Sequence, residues 1–261
     1  IYELANAGAI LARQVADQYS TADKPRWVLG SLGPGTKLPT LGHTSYEKLK
    51  LAYEEASKGL IDGGSDALSI ETTQDLLQAK AAVNGARDAI NKSGKDIVLI
   101  AQVTVETTGT MLMGSEIGAA LNALEPLGID LIGLNCATGP AEMSEHLRVL
   151  SKGATVGISV MPNAGLPVLG ENGAHYPLDG VELAKSLKQF VIDYKVNLVG
   201  GCCGTTPAHM LEVVKQLQSV SVTSREVVRE VGASSLYQFA PFRQQNTYLS
   251  IGERTNANGS R

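Results

Sequence analysis

The stretch Leu131-Ile-Gly-Leu-Asn-Cys-Ala-Thr-Gly-Pro140 passes from a nearly continuous apolar run to a helix start within a few residues. Parallel strands covered on both faces lose the alternation of half-exposed strands, so Leu131 to Cys136 reads as a buried strand. Gly139-Pro140 then opens a helix, because proline in a first turn gives up an N–H that has no intrahelical partner. Helical periodicity holds from Ala141 to Ser151, and a second apolar run, Thr155 to Met161, follows.

The same alternation extends in both directions. Strands are expected at Trp27 to Leu32, Ala67 to Glu71, Ile97 to Val105 and Leu198 to Cys202. Helices are expected at Tyr46 to Ile61, Asp75 to Ile90, Ser115 to Leu127, Val181 to Tyr194 and Pro207 to Gln218, after an opening helix from Tyr2 to Arg13. Repeated βα units imply an α/β fold on a parallel sheet. A (β/α)8 TIM barrel has eight strands. The chain therefore reads as an N-terminally truncated barrel with its first two strands largely missing, in keeping with Ile1 in place of Met and a helix from the outset. An open doubly wound sheet is the alternative. It predicts a G-x-G-x-x-G loop after its first strand, and Gly30-Ser-Leu-Gly-Pro-Gly-Thr36 lacks that spacing.

The 261 residues are 43% hydrophobic, enough for a full α/β core. A net charge of -4 provides no basic field, which argues against a nucleic-acid partner. The sequence has no membrane-length apolar run and no basic-then-apolar leader. Three cysteines, an odd number, fit reduced thiols and a cytoplasmic location. Helical and strand periodicity fails after Ser219. Residues 1–219 are thus read as the partial barrel, 220–247 as an interdomain linker, and 248–261 as the first strand of a further, truncated domain.

Barrel enzymes place their chemistry at the C-terminal ends of strands. Those ends supply Ser31, Glu71, Thr104, Glu106, Asn135, Cys136, Asn163, Cys202 and Cys203. Adjacent Cys202 and Cys203 are poorly placed to bridge each other, since disulfide geometry wants more separated Cα atoms. With Cys136 they offer a zinc ion three thiolates and leave a fourth position for substrate. Gly200, Gly201 and Gly204 let the backbone turn tightly around the pair. Glu71 ends a buried strand abruptly with a charge, which calls for a cationic partner such as a substrate ammonium; the alternative is a surface acid. The Asn163 side-chain carbonyl either occupies the open metal position or serves the Pro162-Asn-Ala-Gly165 turn itself. Thr72 and Thr73 read as caps of the next helix. His146 and His209 fall on expected helices as solvated side chains, and His175 lies in a loop near the strand ends.

Gly133-Leu-Asn-Cys136, Pro162-Asn-Ala-Gly-Leu-Pro167 and Gly200-Gly-Cys-Cys-Gly-Thr-Thr-Pro207 together resemble the zinc-binding homocysteine methyltransferase family in order, spacing and flanking glycines. Ile251-Gly-Glu-Arg-Thr-Asn256 is similar to the opening of the pterin-binding domain that follows this module in cobalamin-dependent methionine synthases. The resemblance implies a (β/α)8 barrel in which Cys136, Cys202 and Cys203 are both the Zn²⁺ ligands and the catalytic residues. It implies homocysteine as methyl acceptor, with Glu71 on its amino group; Ser31 and Asn163, from the strand ends, are read as further substrate-binding positions. Methylcobalamin would be the immediate donor, bound by a domain absent from this chain, and 5-methyltetrahydrofolate the ultimate one. Pterin-binding and cobalamin-binding domains of a parent polypeptide would be the partners. The Asp-Gly-rich segment that the family carries on its first strand is absent here. Rival readings are a betaine- or S-methylmethionine-dependent transferase, a structural zinc module, and a thiol redox enzyme, which would favour C-x-x-C.

Overall fold

The structure is a computed structural model that describes residues 1–170 and 173–250. Helix α1 (Tyr2–Tyr19) leads to strand β1 (Leu29–Leu32). Then follow α2 (Tyr46–Asp62), β2 (Ala67–Thr73), α3 (Leu76–Ser93), β3 (Val98–Val103) and α4 (Ile117–Leu124). Next come β4 (Leu131–Asn135), α5 (Pro140–Gly153), β5 (Gly157–Met161), and a short antiparallel pair, β6 (Val168–Gly170) and β7 (Gly173–His175). Helix α6 (Gly180–Tyr194), the two-residue strand β8 (Leu198–Val199) and α7 (Pro207–Leu217) complete the α/β part. A second antiparallel pair follows, β9 (Gly232–Ser234) with β10 (Phe239–Pro241).

The main sheet has six parallel strands in the order β1-β2-β3-β4-β5-β8, each beside its predecessor in the alternation. A doubly wound sheet reverses direction at a switch point. This sheet never reverses, so the alternative is excluded and the strands form part of a (β/α)8-type sheet.

Helix starts follow local chemistry. Asp75 caps α3 by accepting from the amides of Leu77 and Gln78, and Asp179 caps α6 from Val181 and Glu182. Pro140 and Pro207 open α5 and α7 as the sequence indicates. Helix α4 is shorter than expected: after Leu124, Pro126 turns the chain into a 3-10 segment over Glu125–Leu127.

The two faces of the sheet differ. Leu68, Ile70, Leu99, Ala101, Ile132, Leu134, Ile158 and Val160 join the apolar core beneath the helices. The opposite face carries Ser69, Gln102, Gly133 and Ser159, with Gln102 Nε2 donating to Ser159 Oγ at 3.2 Å. Gly133 is required there, because a Cβ would lie 2.1 Å from the Ser159 side chain. Inner-face packing is therefore polar and tight, and it leads upward to the strand ends.

The segment read as a linker is docked on the α/β part, beginning below the N-terminal end of β5 and continuing along α4. Arg225 donates to the carbonyls of Ala154 and Val156 and to Asn197 Oδ1. The Val228 amide donates to Lys152 O, Arg229 pairs with Glu125, and the Glu116 amide donates to Tyr237 O. This segment shows no periodicity because polar side-chain bonds and the β9–β10 ribbon hold it, without one continuous apolar face. Residues 248–250 form no strand, and the motif at 251–256 lies outside the described residues.

Candidate active site

Two cysteine loops meet over a third. After β4, Cys136 and Ala137 adopt left-handed backbone conformations, with φ of 60° and 58°, which non-glycine residues adopt at some cost. The Pro162-Asn-Ala loop after β5 stitches that turn to the Cys202-Cys203 loop after β8. Asn163 N donates to Thr138 O at 3.1 Å, Cys202 N to Pro162 O at 2.8 Å, and Ala164 N to Cys203 O at 2.9 Å. The buried Asn163 side chain adds a fourth stitch, its Oδ1 accepting from the Cys203 amide at 3.0 Å. The Asn163 side chain thus bonds across to the Cys203 loop and not within its own turn.

Gly204, at φ 78°, lies under the Tyr176 ring, and a Cβ there would be 2.4 Å from Tyr176 Cβ. Tyr176 is a neighbour that sequence reasoning missed. Its phenol pKa is raised, first by hydrogen bonding with Cys203. Nothing local in the sequence flags it, because its place depends on how the loop after β7 folds back.

The three sulfurs all lie within 4.8 Å of one another. Cys136 Sγ and Cys203 Sγ are 3.7 Å apart, far beyond a disulfide bond. A tetrahedral ion with Zn–S bonds of about 2.3 Å would hold its sulfurs roughly 3.8 Å apart, so the trio fits such an ion. Cys136 and Cys203 lie within hydrogen-bonding reach of each other. Hydrogen bonding from Cys202 lowers Cys136 to about 6, against burial, and Cys202 is correspondingly pushed upward. Three thiolates this close repel one another unless a cation sits among them.

Ser31 and Glu71 stand at the ends of β1 and β2, with Ser31 Oγ donating to Glu71 Oε1 at 2.5 Å. Thr72 and Thr73 do not cap α3, a role taken by Asp75. Thr73 Oγ1 donates to Gln102 O, and Thr72, at φ 58°, exchanges two bonds with the side chain of Asn135. Thr104 Oγ1 donates to Asn135 O, while Glu106 turns into the following loop, its amide donating to Thr110 O.

The histidines stand apart from this cluster. His175 is exposed on β7. His209, expected to be solvated, instead bonds Thr206 and Leu178 O through its two ring nitrogens. His146 is half-buried, and desolvation lowers its pKa.

The Homocysteine S-methyltransferase family model matches residues 1–217. The chain belongs to the homocysteine S-methyltransferase family. Methionine synthase of Mycobacterium tuberculosis is 59% identical to this family member over 261 residues, all of this chain and 22% of the relative. Methionine synthase of Mycobacterium leprae is 58% identical over 266 residues, again all of this chain and 22% of the relative. The chain thus spans about a fifth of the length of these curated relatives. Solved structures of the Escherichia coli homocysteine methyltransferase share the fold at 21% identity. The apo form covers 82% of this chain and 73% of its own, with a TM-score of 0.64. The metallated form covers 82% and 70%, with a TM-score of 0.66.

Proposed function

We propose that this chain is the homocysteine-activating module of a cobalamin-dependent methionine synthase. The observation that carries the reading is the convergence of Cys136, Cys202 and Cys203 at the C-terminal ends of β4 and β8. Their three thiol donors suit zinc and leave one tetrahedral position for a substrate sulfur. Zinc, when bound there, supplies Lewis acidity that keeps a substrate thiol deprotonated at neutral pH.

The chain's own residues bind and orient. Glu71, with Ser31 donating to it, presents a carboxylate to the homocysteine ammonium. Asn163 holds the Cys203 loop in place. The methyl donor in this reading is methylcobalamin, carried by another domain of the parent polypeptide, with the pterin-binding domain reloading it from 5-methyltetrahydrofolate. The mycobacterial relatives' name and length support this over a stand-alone transferase. The free cysteines accord with a reducing cytoplasmic setting. Among the described residues no helix is long and apolar enough to cross a membrane.

Zinc-edge X-ray absorption on the full-length enzyme tests the proposal. A sulfur shell that grows from three to four on adding homocysteine is the expected result. A shell that stays unchanged defeats the transferase reading in favour of structural zinc, and absence of zinc defeats it in favour of thiol redox chemistry.

A further inference from the structure

The β2–β3 register slips between Ile70, opposite Ala101, and Thr73, opposite Val103. Two residues of β2, Glu71 and Thr72, therefore face the single Gln102 of β3. Such a bulge re-aims a side chain, and here the re-aimed side chain is Glu71. Thr72 sits at φ 58°, where a β-branched residue is a true outlier that its surroundings must hold in place.

The holding group comes from two strands away. Asn135, at the end of β4 and 1% exposed, reaches over β3. Its Oδ1 accepts the Thr72 amide at 2.7 Å, and its Nδ2 donates to Thr72 Oγ1 at 2.8 Å. An amide N–H donor facing Oδ1 fixes which way the carboxamide points. The same Nδ2 lies 3.9 Å from Cys202 Sγ, and the Asn135 carbonyl is fixed by Thr104 Oγ1 at 3.2 Å. One buried carboxamide thus touches both the bulge that carries Glu71 and a sulfur of the thiol cluster.

We infer that Asn135 is a positioning residue that locks Thr72 in its left-handed conformation, so that Glu71 is aimed at a substrate whose sulfur is held at the cysteine cluster. The inference rests on the proposed homocysteine site for its substrate, and on the Asn135–Thr72 bonds alone for its lock. Asn135 touches neither substrate group in this scheme. It sets the relation between the two places where an amino acid would be gripped.

The experiment compares wild type, Asn135→Ala, Thr72→Gly and the double variant. Hydrogen exchange at the Thr72 amide is read first, because it requires neither metal nor ligand. Exchange should accelerate at least about tenfold in Asn135→Ala, the scale of one lost buried hydrogen bond. An unchanged rate overturns the inference, whatever the protein binds. Homocysteine affinity and zinc content of the full-length enzyme are read second.

Asn135→Ala should weaken homocysteine about tenfold with zinc still bound at wild-type stoichiometry. Thr72→Gly in that background should restore most of the loss, because glycine adopts positive φ without strain. Failure of glycine to rescue, or parallel loss of zinc, would overturn the lock and leave Asn135 a packing residue. If wild type binds no homocysteine, the substrate part of the inference falls with the proposed function, while the exchange result still decides the lock.

Discussion

Asp66 and Val28 exchange two hydrogen bonds at the foot of the sheet: the Asp66 amide donates to Val28 O at 2.9 Å, and the Val28 amide donates to Asp66 Oδ2 at 2.7 Å. Arg13 closes the same carboxylate at 2.7 Å. The arrangement recurs. Asp130 exchanges the same two bonds with Leu99 and lies near Arg87, and Asn197 exchanges them with Ile158 and takes Arg225. Each clasp ties a residue just ahead of one strand to the start of its neighbour. The third takes its arginine from the segment beyond the barrel helices.

The third clasp has an amide where the other two have a carboxylate. Asn197→Asp would turn its bond to Arg225 into an ion pair while keeping the Ile158 contact. Urea unfolding should show a gain of up to about 1 kcal/mol at low salt, shrinking as salt rises. Asn197→Ala should lose about 1–2 kcal/mol, because the Ile158 amide then lacks an acceptor.

Glu125 is 7% exposed and accepts from the Thr155 amide, the Thr155 hydroxyl and the Val156 amide, while Arg229 pairs with its other oxygen. Glu125→Ala removes an acceptor from two backbone donors and frees Arg229 from its partner. A loss of about 2–4 kcal/mol is expected in urea unfolding, and a change below about 0.5 kcal/mol would contradict the assignment.

Cys202→Ala takes one donor from the sulfur trio and leaves the helices and sheet contacts in place. Zinc content of the purified protein should drop to background while far-ultraviolet circular dichroism stays unchanged. Wild-type zinc content in this variant would remove Cys202 from the ligand set.

Glu71→Gln retains the shape of the side chain and removes its charge. Homocysteine should bind about tenfold or more weakly, in line with loss of a charge-assisted bond, with zinc affinity within about twofold of wild type. Equal losses of both would point to a structural role for Glu71.

Metal uptake has to displace protons, because Cys202 is pushed upward by hydrogen bonding to Cys136 and by burial. The protonated form competes with metal, so affinity rises with pH. Each displaced proton contributes about tenfold per pH unit, and chelator competition at pH 6.5 and 8 measures the slope. A flat profile would mean that the thiols are already ionised before metal arrives.

Much of this architecture is legible in the chain because buried parallel strands advertise themselves as apolar runs. Leu131 to Asn135 and Gly157 to Met161 end within two residues of where their apolar runs place them. The gathering of Cys136, Cys202 and Cys203 follows from strand ends alone, since a barrel sheet brings those ends to one rim. Thr72 was misread because capping is a local rule, and its actual partner, Asn135, lies two strands away across β3. Residues 220–247 carry no periodic signal for a similar reason: Arg225 finds its acceptors on Ala154, Val156 and Asn197, contacts that leave no trace in the sequence pattern. Tyr176 escaped notice because only the bare Cα of Gly204 reveals that an aromatic ring lies against it.

Strand β8 is only Leu198–Val199, yet it delivers two of the three thiols. So short a ribbon has little cohesion of its own; below it sits the Arg225 clasp, and above it the sulfurs. An ion seated at the rim would therefore also act as a rivet, and stripping it should let this corner of the sheet fray first.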